Sequence, residues 1–134
     1  MKFISLQHIS IEDPGTFKDF LIEDGHSITT IQLDEGDSIP NNLDEFDAML
    51  CMGGPMDTFM EDLYPWLVAE KKAIGEYVLN LKKPFLGFCL GCQLLGEVLG
   101  GKVVESKPPE IGVLDINIEE GAKIDHIFDF LPNK

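Results

Sequence analysis

Between Phe3 and Leu99, short apolar runs alternate with longer segments of helical period, and this alternation constrains the fold more than any other feature of the chain. Phe3 to Gln7 (FISLQ) is apolar-rich and reads as a strand. Beyond the breaker Asp13-Pro14-Gly15, Phe17, Phe20 and Leu21 recur at helical spacing up to Gly25. Ser27 to Leu33 carries β-branched side chains that suit a pleated surface, and the acidic DEGDSIPNN stretch after it reads as an exposed loop. Phe46 to Met52 is a third short run, stopped by Gly53-Gly54-Pro55 in the pattern of a buried strand feeding a tight loop.

Pro65 suits a first helical turn, because its missing N–H needs no partner there. After it, Trp66, Ala69, Ala73, Ile74, Tyr77 and Leu81 fall near one face, and Pro84 ends the helix. PFLGFC is too short for a helix and wholly apolar, so it is expected as a central strand; LGCQLLGEVLGG follows as a helix closed by Gly100-Gly101. KVVES and IGVLDINIE are expected as further strands around a PPE turn. Strands alternating with helices mean an α/β fold, a mainly parallel sheet with helices on both faces. With 134 residues, 44% of them hydrophobic, and no internal repeat or linker, one domain over 1–134 is expected.

Charge narrows the function. The ten basic residues are all Lys and face 24 Asp and Glu, a formal net charge of −14. Duplex affinity rests on clustered cations that release counterions, so nucleic acid is not expected as a partner. No run approaches the ~18 apolar residues that span a bilayer, and MKFISLQHISIEDPG turns polar too early for a secretory signal. A cytoplasmic protein without a membrane partner is expected. Cys51, Cys89 and Cys92 are an odd number, which argues against a disulfide framework and for packing or reactivity.

The sharpest local pattern is Gly87-Phe88-Cys89-Leu90-Gly91-Cys92-Gln93, between an apolar run and a helix start. A side chain at such a turn is presented at the carboxyl end of the sheet, where ligands bind in open α/β folds. A helix N-terminus favours a thiolate through its dipole and unpaired N–H groups, which makes Cys89 the candidate nucleophile. Gly87 and Gly91 fit a crowded elbow, where a Cβ would press on neighbouring backbone. Two other readings stand beside this one: a Cys89–Cys92 redox pair of CxxC type, and a buried structural cysteine. A metal site would need a further ligand pair, and Cys51, His8, His26 and His126 show no CxxC or HxxxH spacing, so no metal is expected.

The run GFCLGCQLLGEVLGG resembles the nucleophile elbow of class I glutamine amidotransferases. Met52-Gly53-Gly54-Pro55-Met56, Tyr64-Pro65-Trp66-Leu67 and Pro109-Glu110-Ile111-Gly112 agree with that family in order and spacing, and Gln7-His8 is usual in the branch similar to the amidotransferase domain of GMP synthase. The resemblance implies a flavodoxin-like, three-layer fold and no cofactor. It implies that Cys89 attacks the γ-carboxamide of glutamine, or another γ-glutamyl compound, to give a thioester and ammonia, with water then releasing glutamate. Backbone N–H groups of Gly54 and Leu90 would form the oxyanion hole, and Gly53 and Gln93 would bind substrate. A synthetase that accepts the ammonia is the implied partner. Glu110 matches a family carboxylate with no assigned chemistry, Pro65 and Trp66 read as helix start and core packing, and Cys92 as a small buried helix residue.

The family's base and acid, a His and a Glu or Asp one residue apart, lie well beyond the nucleophile. His126 is 126 − 89 = 37 residues on and is followed by Ile127-Phe128-Asp129, which does not match. His8 and His26 fit no better as bases. The chain is therefore expected to be an N-terminal portion of a longer amidotransferase, the alternative being a non-catalytic binding or regulatory module of the same fold.

Overall fold

The computed structural model describes residues 1–109, 111–115, 117–118 and 120–121. They fall into two compact units, Met1–Val104 and Glu105–Lys134. The first contains β1 (Lys2–Gln7), α1 (Thr16–Glu23), β2 (Ser27–Gln32), β3 (Ala48–Cys51), α2 (Trp66–Gly75), β4 (Phe85–Gly87) and α3 (Leu90–Val98). A π-helical turn, Glu76–Asn80, carries α2 toward Pro84. In the second unit the described residues 105–109 run irregularly, with Ser106 Oγ donating to the Pro108 carbonyl at 3.1 Å.

All pairings are parallel and the strand order is β2-β1-β3-β4. This is the flavodoxin-like order, which reverses direction between β1 and β3 and opens a crevice at their carboxyl ends. Alternation along the strands makes two cores. Ile4 and Leu6 of β1 and Met49 and Cys51 of β3 pack against Leu67, Ala73 and Ile74 of α2 and Leu90 and Leu94 of α3. Phe3, Ala48, Leu50 and Met52 turn to the other face, against Leu21 and Phe17 of α1. A sheet buried on both faces accounts for the near-continuous apolar sequence of β3.

Polar contacts fix the helices to the loops. Tyr77 is buried and donates its hydroxyl to the Phe46 carbonyl at 3.0 Å; burial and the charges of Asp47 and Asp44 push its pKa up to about 12. Lys71 of α2 reaches Glu61 at 2.8 Å and Glu97 of α3 at 2.9 Å, while the buried Thr58 hydroxyl donates to Glu97 at 2.7 Å. The 56–64 loop is thereby tied to both helices.

Several expectations are corrected. PFLGFC supplies only the three-residue β4, and it lies at the edge of the described sheet rather than its centre, with Leu86 44% and Phe88 38% exposed. KVVES forms no strand, nor do the described residues of IGVLDINIE, because β-branched composition supplies a pleated surface but not a neighbouring ladder. Phe20 and Ala69 face solvent, and the inner stripe of α2 runs instead through Leu67, Glu70, Ala73 and Ile74.

Candidate active site

The crevice at the carboxyl ends of β1, β3 and β4 is a cleft of about 400 Å³ lined by Glu12, Asp13, Phe17, Gly53, Phe88 and Cys89, among others. Its floor is a strand-to-helix reversal. The Phe88 N–H donates to the Cys51 carbonyl at 2.9 Å, extending the β3–β4 ladder by one residue before the chain turns into α3. Cys89 makes that turn with φ +50° and ψ −107°. A residue with a Cβ rarely adopts a positive φ, and holding one there costs about 1–3 kcal/mol. Cys89→Gly is accordingly expected to be about 1–2 kcal/mol more stable than Cys89→Ala in urea denaturation, since only glycine takes this backbone without strain.

Close packing makes the reversal possible. A Cβ on Gly87 would meet the carbonyl carbon of Gly91 at 2.5 Å, and one on Gly91 would run into the Cys51 carbonyl of β3. α3 therefore starts directly on β3, and the Gly91 N–H donates to the Met52 carbonyl at 3.1 Å. Cys89 is an exposed free thiol at the N-terminus of α3.

Gly53 lies beside this cysteine, and Gly54 lies against the side chain of the next residue, Leu90. A Cβ on Gly53 would lie 3.5 Å from Cys89 Cβ and against the Glu12 carboxylate; one on Gly54 would lie 3.2 Å from Leu90 Cδ2 and 3.0 Å from His8 Cβ. Among the described residues, no protein group accepts the backbone N–H of Gly54 or of Leu90. Gln93 is exposed one turn into α3 and does not line the cleft. Cys92, expected to be buried, is exposed, because Leu90, Gly91 and Leu94 take the inward face of α3. Glu110 and His126 lie outside the described residues.

Behind Gly53 is a buried polar cluster whose assembly the sequence spacing did not show. His8, at the end of β1, is fully buried; its Nδ1 is 2.8 Å from the Gly53 carbonyl and its Nε2 2.8 Å from Glu70 Oε1. The Cys51 thiol donates to the same Glu70 oxygen at 3.3 Å. Trp66, one turn before Glu70 on α2, stacks on the imidazole with centroids 5.4 Å apart and planes 19° apart, so it serves as more than core filling. Both ring nitrogens are thus engaged, and His8 cannot act as the base for Cys89.

Burial alone would lower the pKa of His8. The hydrogen bond to Glu70, the Glu70 charge, the Gly53 carbonyl and the Glu12 charge outweigh burial and hold it above the ordinary 6.5. Cys51 is driven well above its usual range by burial, by the Glu70 charge and by their hydrogen bond, so it stays an inert thiol. His8, Cys51 and Glu70 bring possible metal-ligating atoms within 4.8 Å of one another, a spacing their mutual hydrogen bonds already explain. Glu70 was visible as a carboxylate at i+4 from Trp66 and i−4 from Ile74, inside an otherwise apolar stripe.

Residues 17–134 match the family model for glutamine amidotransferase class-I. The chain belongs to the class-I glutamine amidotransferase family. The glutamine amidotransferase-like protein YfeJ of Salmonella typhimurium is 34% identical over 118 residues, covering 86% of this chain and 49% of that protein. The glutamine-hydrolysing GMP synthase subunit of Sulfurisphaera tokodaii is 38% identical over 81 residues, covering 58% and 38% respectively. A crystal structure of a glutamine amidotransferase from Thermotoga maritima superposes with a TM-score of 0.70 at 34% identity, covering 75% of this chain and 43% of that one. The chain thus spans about half or less of the length of these relatives. Among the described residues, no helix is long and apolar enough to cross a membrane.

Proposed function

We propose that this chain carries the nucleophile and oxyanion hole of a glutaminase site. Cys89 Sγ adds to the γ-carboxamide carbon of glutamine or a related γ-glutamyl compound, and the resulting oxyanion takes the N–H groups of Gly54 and Leu90. Collapse breaks the C–N bond and ammonia leaves with a proton. Water then cleaves the γ-glutamyl thioester to glutamate and returns the thiol. The observation that supports this reading best is Cys89 at a strained strand-to-helix turn, lining the cleft beside Gly53, while among the described residues no protein group accepts the backbone N–H of Leu90 or of Gly54. The family resemblance also implies substrate contact from Gln93, which stands exposed one turn into α3 outside the cleft lining. The proton for departing ammonia would come, as the family resemblance implies, from a histidine oriented by a carboxylate. Similarity to a glutamine-hydrolysing GMP synthase subunit supports a separate synthetase as the partner that consumes the ammonia, with both proteins cytoplasmic.

The test is selective labelling. A chloroketone built on the glutamine skeleton, followed by peptide mapping, is expected to alkylate Cys89 while sparing the buried Cys51 and the likewise exposed Cys92. Labelling of Cys92 at the same rate as Cys89 would point instead to ordinary thiol exposure and to a non-catalytic module.

A further inference from the structure

We propose that His8 and Glu70 are positioning residues that hold the Gly53–Gly54 peptide with its N–H directed away from the core, toward the cleft that Gly53 shares with Cys89. The proposal rests on the reading of Gly54 as an oxyanion donor. The hydrogen on Nδ1 follows from its partner. The Gly53 carbonyl can only accept, so His8 Nδ1, 2.8 Å away, must carry a hydrogen. Glu70 Oε1 holds the opposite edge of the ring, 2.8 Å from Nε2, and accepts the Cys51 thiol at 3.3 Å. Both nitrogens are thus held, between the Gly53 carbonyl and Glu70, in the core.

The consequence for the loop follows from peptide geometry. The Gly53–Gly54 bond is trans, so its C=O and N–H point in opposite directions. Drawing the carbonyl inward to His8 turns the Gly54 N–H outward. A peptide between two glycines has unusual freedom to rotate, because neither side carries a Cβ to resist it. A buried donor 2.8 Å from the carbonyl removes that freedom. α2 completes the device, with Glu70 holding the imidazole by its edge and Trp66 covering its face. An oxyanion hole works when its donors are fixed before charge develops, and His8 supplies that fixation without touching the reacting atoms.

The experiment uses glutamate γ-(p-nitrophenyl) ester, whose leaving group departs as an anion and needs no proton. Acylation of Cys89 then depends only on the nucleophile and the oxyanion donors, and is read as a stoichiometric burst of nitrophenolate. Variants are compared in a Glu70→Gln background, where the amide can pair with a neutral His8 and no buried charge is stranded. Adding His8→Leu is expected to slow the burst by about 10²–10³-fold. Adding His8→Asn, whose amide nitrogen can replace Nδ1 as donor to Gly53, is expected to restore it to within about tenfold of the background. Iodoacetamide alkylation of Cys89, which uses no oxyanion hole, should be equal in all three, and protection of Cys51 reports an intact core. Equal bursts in the Leu and Asn variants, with Cys51 protected, would overturn the proposal. A wild-type chain that gives no burst while its core is intact would overturn the parent reading instead. In the unsubstituted protein, a Gly53 carbonyl ¹³C shift typical of an unbonded amide would also overturn the positioning role, whereas a downfield shift is expected.

Discussion

Glu70→Ala is expected to lower the unfolding free energy by about 3–5 kcal/mol, the range for removing one partner of a buried ion pair. The substitution takes from the buried His8 its ion-pair partner, removes the acceptor of the Cys51 thiol and opens space beside Trp66. The effect should depend on pH in a definite sense. His8 binds its proton more tightly in the folded state than at its ordinary 6.5, because Glu70, Gly53 and Glu12 overcome the opposing effect of burial. That contribution is fully present below about pH 6.5 and fades as pH rises through the raised folded value. In Glu70→Ala, burial acts on the ring with its main opponent gone. The stability gap between wild type and variant should therefore widen as pH falls. Urea denaturation at pH 6 and pH 9 measures it, and a gap that does not change between them would contradict the ion-pair assignment.

Gly91→Ala is expected to damage both stability and chemistry. The added Cβ would be driven into the Cys51 carbonyl, part of the β3 backbone, so rotamer change cannot relieve the overlap. Overpacking of a close-packed interior costs about 1–3 kcal/mol, and a backbone clash belongs at the upper end, about 3 kcal/mol. Relief requires α3 to lift from β3, carrying Cys89 and the Leu90 N–H away from Gly53 and Gly54. A displacement of about 1 Å at a reacting group is worth about 10²-fold in rate, and a loss of that size is expected in chloroketone labelling of Cys89. Labelling within about twofold of wild type, with unchanged stability, would mean that the elbow does not depend on this contact.

Much of this was legible in the sequence because it is written in local signals. The glycines at 87 and 91, the apolar run before them and the helical period after them mark a strand-to-helix elbow. Pro65, Pro84 and Gly25 punctuate the helices as the physics of their backbones requires. What local signals could not convey was pairing. PFLGFC is apolar enough for a central strand, yet strand order alone puts β4 at the edge of the described sheet. Val103 and Val104 favour a pleated surface, but propensity supplies no ladder partner, and residues 102–106 form none. The His8–Glu70 pair illustrates the same limit at the site. The two residues are 62 positions apart, and only the packing of α2 over the end of β1 brings them to 2.8 Å. The carboxylate in the apolar stripe announced that Glu70 needed a buried partner, without saying which.

If Cys89 and the backbone donors around it suffice to take a γ-glutamyl group, the wild-type chain should be acylated by glutamate γ-(p-nitrophenyl) ester with no other protein present. Mixing the two and mapping the acid-quenched product by mass spectrometry decides the matter. One equivalent of nitrophenolate per chain is expected, with the γ-glutamyl group on Cys89 and no burst from Cys89→Ala. Acylation spread over Cys92, or a burst that survives Cys89→Ala, would contradict the assignment of Cys89 as the nucleophile.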